Sequence, residues 1–115
     1  MPSPLVFEIA QPDGSAEVVK GYCSKRKDSL AMHKTDDGRW VVTHKATGMD
    51  ISEAMPANLA NSYPQVLKWM DHVQANTAIE LSRLDELPFN PTVSARANAA
   101  REIFRIRDVG RQYNS

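Results

Sequence analysis

The side chains best suited to metal binding or nucleophilic catalysis in this chain are three histidines and one cysteine. His33 and His44 lie in strand-like segments, and His72 lies in a helical one. A zinc site needs three or four converging ligands, and no H-x-x-x-H, H-E-x-x-H or C-x-x-C spacing brings them together on one element. We therefore expect solvent-exposed strand histidines and no metal site.

Cys23 precedes a basic run at 25–27, and neighbouring positive charge lowers a thiol pKa. A catalytic cysteine also needs a positioned base, which no spacing indicates. The chain has no G-x-S-x-G elbow, no Walker phosphate loop and no G-x-G-x-x-G turn. The carboxylate pairs at 36–37 and 85–86 fall at predicted element ends, where turn formation explains them. We predict a buried or half-buried thiol, no catalytic residue, no cofactor and no enzymatic activity.

The charge of the chain is balanced overall but unevenly distributed. Residues 1–50 are neutral, residues 51–90 carry a net charge of −3, and residues 91–115 carry a net charge of +3. The basic segment contains five arginines, whose planar guanidinium groups suit phosphate or carboxylate partners. Two alternatives stay open. The arginines pair with the acidic segment 51–90, or they form a surface for nucleic acid or for an acidic protein.

Binding residues are predicted at three exposed places: the basic loop at 25–28, the turn at 36–39 and the last helix. The predicted contacts are Lys25, Arg26, Lys27, Asp37, Arg39, Arg101, Arg105, Arg107 and Arg111. At about 100° per residue, Arg107 and Arg111 share one side of a helix, and Arg101 and Arg105 share the opposite side. The neutral net charge of the chain is not typical of a dedicated nucleic-acid module.

The first fifty residues must form the scaffold of strands. Apolar residues alternate along them, and turn sequences punctuate them at 11–14 and 36–38. A two-residue turn at 37–38 would place both strand histidines on one face. A three-residue turn with Gly38 in the left-handed position would instead align Leu30 and Met32 with Trp40 and Val42. We favour the second register because it collects the apolar side chains on one face.

The second half changes to a helical period. Ser62 and Pro64 begin a predicted helix of some twenty residues that ends near Leu84. A second helix begins after Thr92 or Ser94, and Gly110 is predicted to end it. Its apolar residues are expected to point inward: Val93, Ala97, Ala100, Ile103, Phe104 and Ile106. A short helix is expected within 52–61.

Together these elements predict a single α+β domain over residues 1–115. An antiparallel β-meander of four to five strands at 1–52 precedes a helical half at 53–115, with a frayed tail at 112–115. Two α-helices follow the meander, and the long helix packs on the sheet face that bears Trp40. Trp69 and Met70 are predicted to be core residues, although spare apolar surface on this helix leaves a homodimer open.

Cysteine content and hydropathy bear on the compartment. A single cysteine excludes an internal disulfide and favours a reducing, cytoplasmic compartment. The apolar stretches are shorter than the ~20 residues of a membrane span, so no membrane partner is expected. The first residues have neither a basic nor an apolar signal region, so no secretory signal is expected.

The segment GRWVVTHKATGM, Gly38–Met49, is similar to a strand-turn-strand segment of small, uncharacterised proteins encoded by phages and prophages. Many proteins of that group bind and inhibit a host macromolecule. The resemblance implies a compact, non-enzymatic accessory factor that inhibits or modulates a host protein or nucleoprotein complex. It contains no catalytic motif, so no functional residue is carried over. The alternative is a module that binds DNA or RNA directly through a Lys/Arg surface.

Overall fold

The computed structural model of this chain describes residues 2–113, and it has the predicted α+β fold. Five strands form one antiparallel sheet in which each strand pairs with the next along the chain. The strands are β1 (Ser3–Ala10), β2 (Ala16–Cys23), β3 (Leu30–Lys34), β4 (Trp40–His44) and β5 (Met49–Asp50). The meander that the alternating residues and turn sequences indicated is therefore confirmed.

The register of the β3–β4 hairpin is the predicted one. Lys34 pairs with Trp40 and Met32 with Val42. The backbone N–H of Thr35 donates to the carbonyl of Arg39, which leaves a three-residue turn with Gly38 at φ +85°. Only a residue that tolerates the left-handed region closes this turn without strain.

The sheet curls, so that its two faces have different surroundings. The backbone N–H of Ala10, at the end of β1, donates to the carbonyl of Gly48 beside β5 over 3.0 Å. The face inside the curl buries Phe7, Cys23 and Ala31, and we call it the inner face. The opposite face, which we call the helix-side face, carries Met32 and the helices of the second half.

The helical half contains four α-helices where two were expected. Two short 3₁₀ helices, Ser52–Ala54 and Ala57–Leu59, occupy the connection after β5. The α-helices follow as α1 (Tyr63–Asn76), α2 (Ala78–Leu84), α3 (Val93–Asn98) and α4 (Ala100–Arg111). Each predicted helix is thus divided into two, and the first of each pair begins where it was expected to.

The long predicted helix is interrupted at Thr77, which corrects its expected length. Thr77 has φ −132° and ψ 32°, outside the helical region. Its hydroxyl and its backbone N–H both donate to the carbonyl of Val73, over 2.6 and 3.0 Å, so the last carbonyl bond of α1 is doubled at this point. Leu81 and Leu84, beyond the break, are still buried, so the apolar stripe is continuous although the helix is not.

The prediction that Gly110 ends the last helix is wrong, because α4 continues to Arg111. Its role is close packing. The indole Nε1 of Trp69 donates to the Gly110 carbonyl over 3.0 Å, and a Cβ at position 110 would meet Trp69 Cζ2 at 2.7 Å. Trp69 and Met70 are completely buried, as predicted, and together with Leu30 and Met32 they form the centre of the core.

Within residues 2–113, no helix combines the length and the apolar character that crossing a bilayer requires. Tyr113 packs against the core, and its ring centroid lies 5.0 Å from that of His72. Asn114 and Ser115, the end of the tail predicted to fray, lie outside the described residues.

Candidate functional site

The nine predicted contact residues do not form one surface. Lys25, Arg26 and Lys27 are exposed in the loop between β2 and β3, at one end of the sheet. Asp37 and Arg39 are exposed in the turn between β3 and β4, which a meander places at the opposite end. The arginines occupy α4, on the helix-side face.

Local hydrogen bonds order both loops. The backbone N–H of Lys25 donates to Asp28 over 2.8 Å, and the ammonium group of Lys45 donates to the carbonyl of Arg26 over 3.3 Å. In the other turn, the hydroxyl of Thr35 donates to the carboxylate of Asp37 and lowers the pKa of that group. These contacts hold the exposed charges in place on rigid hairpin ends.

Arg107 forms an ion pair with an acidic residue of the segment 51–90. Its guanidinium group lies 2.6 Å from the carboxylate of Glu53, beside the first 3₁₀ helix. Arg96, on α3, donates to the carbonyl of Pro91 over 3.0 Å and to the side chain of Asn90 over 3.2 Å. For Arg107, the pairing with the acidic segment 51–90 is therefore the alternative that the structure supports.

The other three arginines of α4 are exposed within an arc of about 120° around the helix, so the expectation that Arg111 lies opposite Arg101 and Arg105 is wrong. Arg101, Arg105 and Arg111 are exposed and make no ion pair within residues 2–113. Phe104 lies among them and is 65% exposed. We call these four residues the α4 outer face. Asp108, the nearby carboxylate on this helix, is half-buried and lies 3.4 Å from the amide nitrogen of Gln112.

Phe104 is a candidate contact residue that the sequence analysis missed, because it was expected to point inward. The last helix carries two apolar stripes. One stripe, with Val93, Ala97, Ala100 and Phe104, is exposed, and the other turns inward. The inward residues are Ala99, Ile103, Ile106, Val109 and Gly110. Gly110, in the inward stripe, was the available signal for which side of the helix is buried. Without a Cβ at this position, that side approaches the Trp69 indole closely.

The fold holds the α4 outer face rigidly. The opposite side of α4 buries Ile106 and Val109, the Trp69 hydrogen bond fixes its end, and the Arg107–Glu53 ion pair fixes its middle. An exposed aromatic ring with three cations on a fixed helix can stack or insert while the guanidinium groups bind anions. This combination suits recognition of a macromolecule better than chemistry on a small one.

The expectation that the strand histidines are exposed is wrong for both. His44 is completely buried on the helix-side face, and His33 is 7% exposed on the inner face. The ring of Phe7, from the curled first hairpin, packs edge-on against His33 at a centroid distance of 5.9 Å. The burial of His33 was missed because alternation along a strand does not reveal that a sheet curls back on itself. The burial of His44 was missed because the segment that carries Asp85 packs over this end of the helix-side face.

His44 is held by two hydrogen bonds. Its Nδ1 lies 2.8 Å from the hydroxyl of Thr47, and its Nε2 lies 2.8 Å from a carboxylate oxygen of Asp85. The hydroxyl of Ser29 donates to the second oxygen of Asp85 over 2.9 Å. Burial lowers the pKa of His44, and the Asp85 carboxylate opposes this only in part, so the ring is neutral at pH 7. A neutral ring donates from Nε2 to Asp85 and accepts the Thr47 proton at Nδ1.

Thr47, His44 and Asp85 are linked in the hydroxyl–imidazole–carboxylate order of a nucleophilic triad. The burial of Thr47 and His44 indicates a structural hydrogen-bond network and not a catalytic one. Thr47 is completely buried, so a substrate has no access to its hydroxyl. Cys23 is buried as predicted, and burial raises the pKa of its thiol, which disfavours the reactive thiolate. Across the described chain, no three His, Cys, Asp or Glu side chains are grouped to hold a metal ion.

Comparison of the chain with protein-family models, with curated proteins and with solved structures found no match.

Proposed function

We propose that this chain is a small non-enzymatic binding protein that inhibits or modulates a protein partner through the α4 outer face. The observation that carries this proposal is Phe104, which is 65% exposed among three arginines on a helix anchored to the core. A solvent-exposed phenylalanine costs hydrophobic free energy in the isolated protein, and a partner pocket recovers it.

The charges around Phe104 define the surface that fits it. The three exposed arginines outnumber the two half-buried carboxylates of α4, Glu102 and Asp108, so this side of the helix has a net positive charge. The complementary partner presents an apolar pocket with acidic side chains at its rim. Aromatic and arginine side chains are the residue types that carry most binding free energy at interfaces.

The cellular setting is part of the same proposal. The resemblance of Gly38–Met49 to small phage and prophage proteins supports an accessory factor that acts on a bacterial host protein or nucleoprotein complex in the cytoplasm. The single buried cysteine is consistent with a reducing compartment. Two exposed loops away from α4 are secondary contacts in this proposal. They contain Lys25, Arg26 and Lys27 in one loop and Asp37 and Arg39 in the other.

Affinity capture from bacterial lysate tests the surface if matched variants are compared. The double variant Arg101→Glu/Arg105→Glu reverses two charges of the α4 outer face. The control Lys68→Glu/Arg83→Glu reverses two exposed charges on α1 and α2 and changes the net charge equally. We expect a partner that the wild type and the control retain and that the α4 variant loses at least tenfold.

Direct binding of DNA or RNA is the second candidate, and the same geometry favours it. Bases stack on exposed aromatic rings, and arginines bind phosphates. Fluorescence anisotropy with labelled single- and double-stranded DNA and RNA at ~50 and ~200 mM salt separates the two candidates, because phosphate binding weakens steeply with salt. A hundredfold loss of affinity between these concentrations, with a further loss in Phe104→Ala, would favour nucleic acid. Absence of binding at both would favour the protein partner.

A further inference from the structure

A second recognition site lies on the inner face of the sheet, away from α4. A cleft of about 660 Å³ opens between the curled first hairpin and strands β3–β5. Its apolar lining includes Ile9, Val19 and Val41, which point to the inner face in the strand register. We call this feature the sheet cleft. Its volume is in the range that small organic ligands occupy.

Two carboxylates and one imidazole supply the polar chemistry of the sheet cleft. Glu17 and Asp50 both line it, and both point to the inner face in the register. Glu17 accepts a hydrogen bond from Gln11 over 2.7 Å, and Asp50 accepts from Ser52 over 2.6 and 2.7 Å. Each carboxylate therefore keeps acceptor capacity for a further donor.

The unpaired ring nitrogen of the buried His33 is the observation that points to a ligand. This side chain lines the sheet cleft and is 93% buried, and its Nδ1 has no hydrogen-bond partner among the described residues. Buried polar atoms are seldom left unpaired in folded proteins. Burial lowers the pKa of the His33 ring, and the negative charges of Glu17 and Asp50, which line the same cleft, oppose that shift in part.

Further charges surround the opening. Asp36 lines it together with Lys20 and Lys34, whose positions in the register belong to the helix-side face. The three carboxylates outnumber the two lysines, and Glu17 and Asp50 are the exposed charges that belong to the inner face itself. A cation is favoured over an anion there, and the apolar lining favours a ligand with an apolar body.

We propose that the sheet cleft binds an organic ammonium compound with an apolar body, whose cationic group pairs with Glu17 and Asp50. The apolar body of the ligand lies on Val19 and Val41. An N–H of its ammonium group donates to Nδ1 of His33, the ring nitrogen that has no partner within residues 2–113. The same chemistry is offered by a free amine and by the lysine side chain of a peptide.

The test is a titration of the ¹⁵N-labelled protein, followed by NMR, with three probes. The probes are 2-phenylethylammonium, its charge-reversed counterpart 3-phenylpropionate, and N-acetyl-lysine N-methylamide. We expect saturable shifts at the amides of Val19, His33 and Val41 and at the His33 ring nitrogens with an ammonium probe, and none with the carboxylate. Preference for the first or the third probe identifies a free amine or a lysine side chain as the ligand.

Matched variants make the test specific. Glu17→Gln removes one carboxylate, whereas Glu8→Gln removes an exposed carboxylate from the other face of the same hairpin. We expect Glu17→Gln to weaken binding by about five- to tenfold and Glu8→Gln to leave it unchanged. Equal binding of ammonium and carboxylate probes, an equal effect of both variants, or no saturable shift at these residues would overturn the proposal. None of these results would affect the α4 outer face, which shares no residue with the sheet cleft.

Discussion

Trp69 and Gly110 interlock at the centre of the helical half. The indole Nε1 donates to the glycine carbonyl over 3.0 Å, and the indole edge occupies the space that a Cβ at position 110 would fill. This contact sets the rotation of α4 about its axis. It therefore decides which apolar stripe of the helix turns inward and leaves Phe104 and its arginines in solvent.

Gly110→Ala tests this interlock. Alanine in place of glycine stabilises an exposed helix position by about 1 kcal/mol. Here the added Cβ meets Trp69 Cζ2 at 2.7 Å and Ala54 Cβ at 3.3 Å, in a closely packed core. We expect a loss of unfolding free energy of about 1–3 kcal/mol in urea denaturation. A stabilised variant would show that the contact does not constrain α4.

The hydrogen bond between His44 and Asp85 should stabilise the fold. Asp85→Ala leaves the buried Nε2–H of His44 without its acceptor, which typically costs about 1–3 kcal/mol of unfolding free energy. Glu86→Ala is the control, because Glu86 is the adjacent exposed carboxylate, and we expect a change within about 0.5 kcal/mol. Equal effects of the two variants in chemical denaturation would mean that this hydrogen bond contributes little.

Acidification should destabilise the protein in the histidine range. The pKa values of His33 and His44 are lowered from 6.5, mainly by burial, so the unfolded chain binds more protons below that pH. The stabilising contribution is therefore complete above pH 6.5 and is lost as the pH falls toward the folded pKa values. The lowered pKa values of Asp13 and Asp37 act only below 3.8.

Urea denaturation at pH 7.5, 6.0 and 5.0 measures this dependence. We expect the unfolding free energy to fall across the series, and NMR titration of the histidine rings to show His33 and His44 neutral below pH 6.5. An unfolding free energy that is constant or rises toward pH 5.0 would contradict the assignment of both rings as buried and neutral.

Thr92, and not Ser94, caps α3, which settles the alternative that the sequence left open. The Thr92 hydroxyl accepts a hydrogen bond from the Ala95 backbone N–H over 3.1 Å. We expect Thr92→Ala to cost about 1 kcal/mol of unfolding free energy, and Ser94→Ala to change it by less than about 0.5 kcal/mol. Hydrogen exchange at the first amides of α3 provides a local measurement. Faster exchange in Ser94→Ala than in Thr92→Ala would reverse the assignment.

The strands, the hairpin register and the start of each helical region were predictable because local signals determine them. Gly38 is compatible with two kinds of turn, and only the three-residue turn aligns Met32 with Val42 and collects the apolar side chains on one face. Thr77 was harder to interpret, because a threonine within an apolar period is compatible with an unbroken helix. The break lies in the backbone conformation of Thr77, with φ −132° and ψ 32°, which the sequence pattern does not indicate.

The candidate sites were only partly predictable, because they depend on which surfaces the fold covers. Arg101, Arg105 and Arg111 are exposed on α4 as expected, but Arg111 does not lie opposite the other two, and Arg107 pairs with Glu53. The exposure of Phe104 and the burial of His33 follow from the rotation of a helix and the curl of a sheet. Both are consequences of long-range packing, which periodicity along the chain does not encode.

The central claim is that the α4 outer face binds a macromolecular partner, and quantitative affinity capture tests it most directly. The baits are the wild type, Phe104→Ala, Arg101→Glu/Arg105→Glu and the control Lys68→Glu/Arg83→Glu, each shown by circular dichroism to be folded. We expect a partner that the wild type and the control retain and that both α4 variants reduce at least tenfold. Identical capture by all four baits would contradict it.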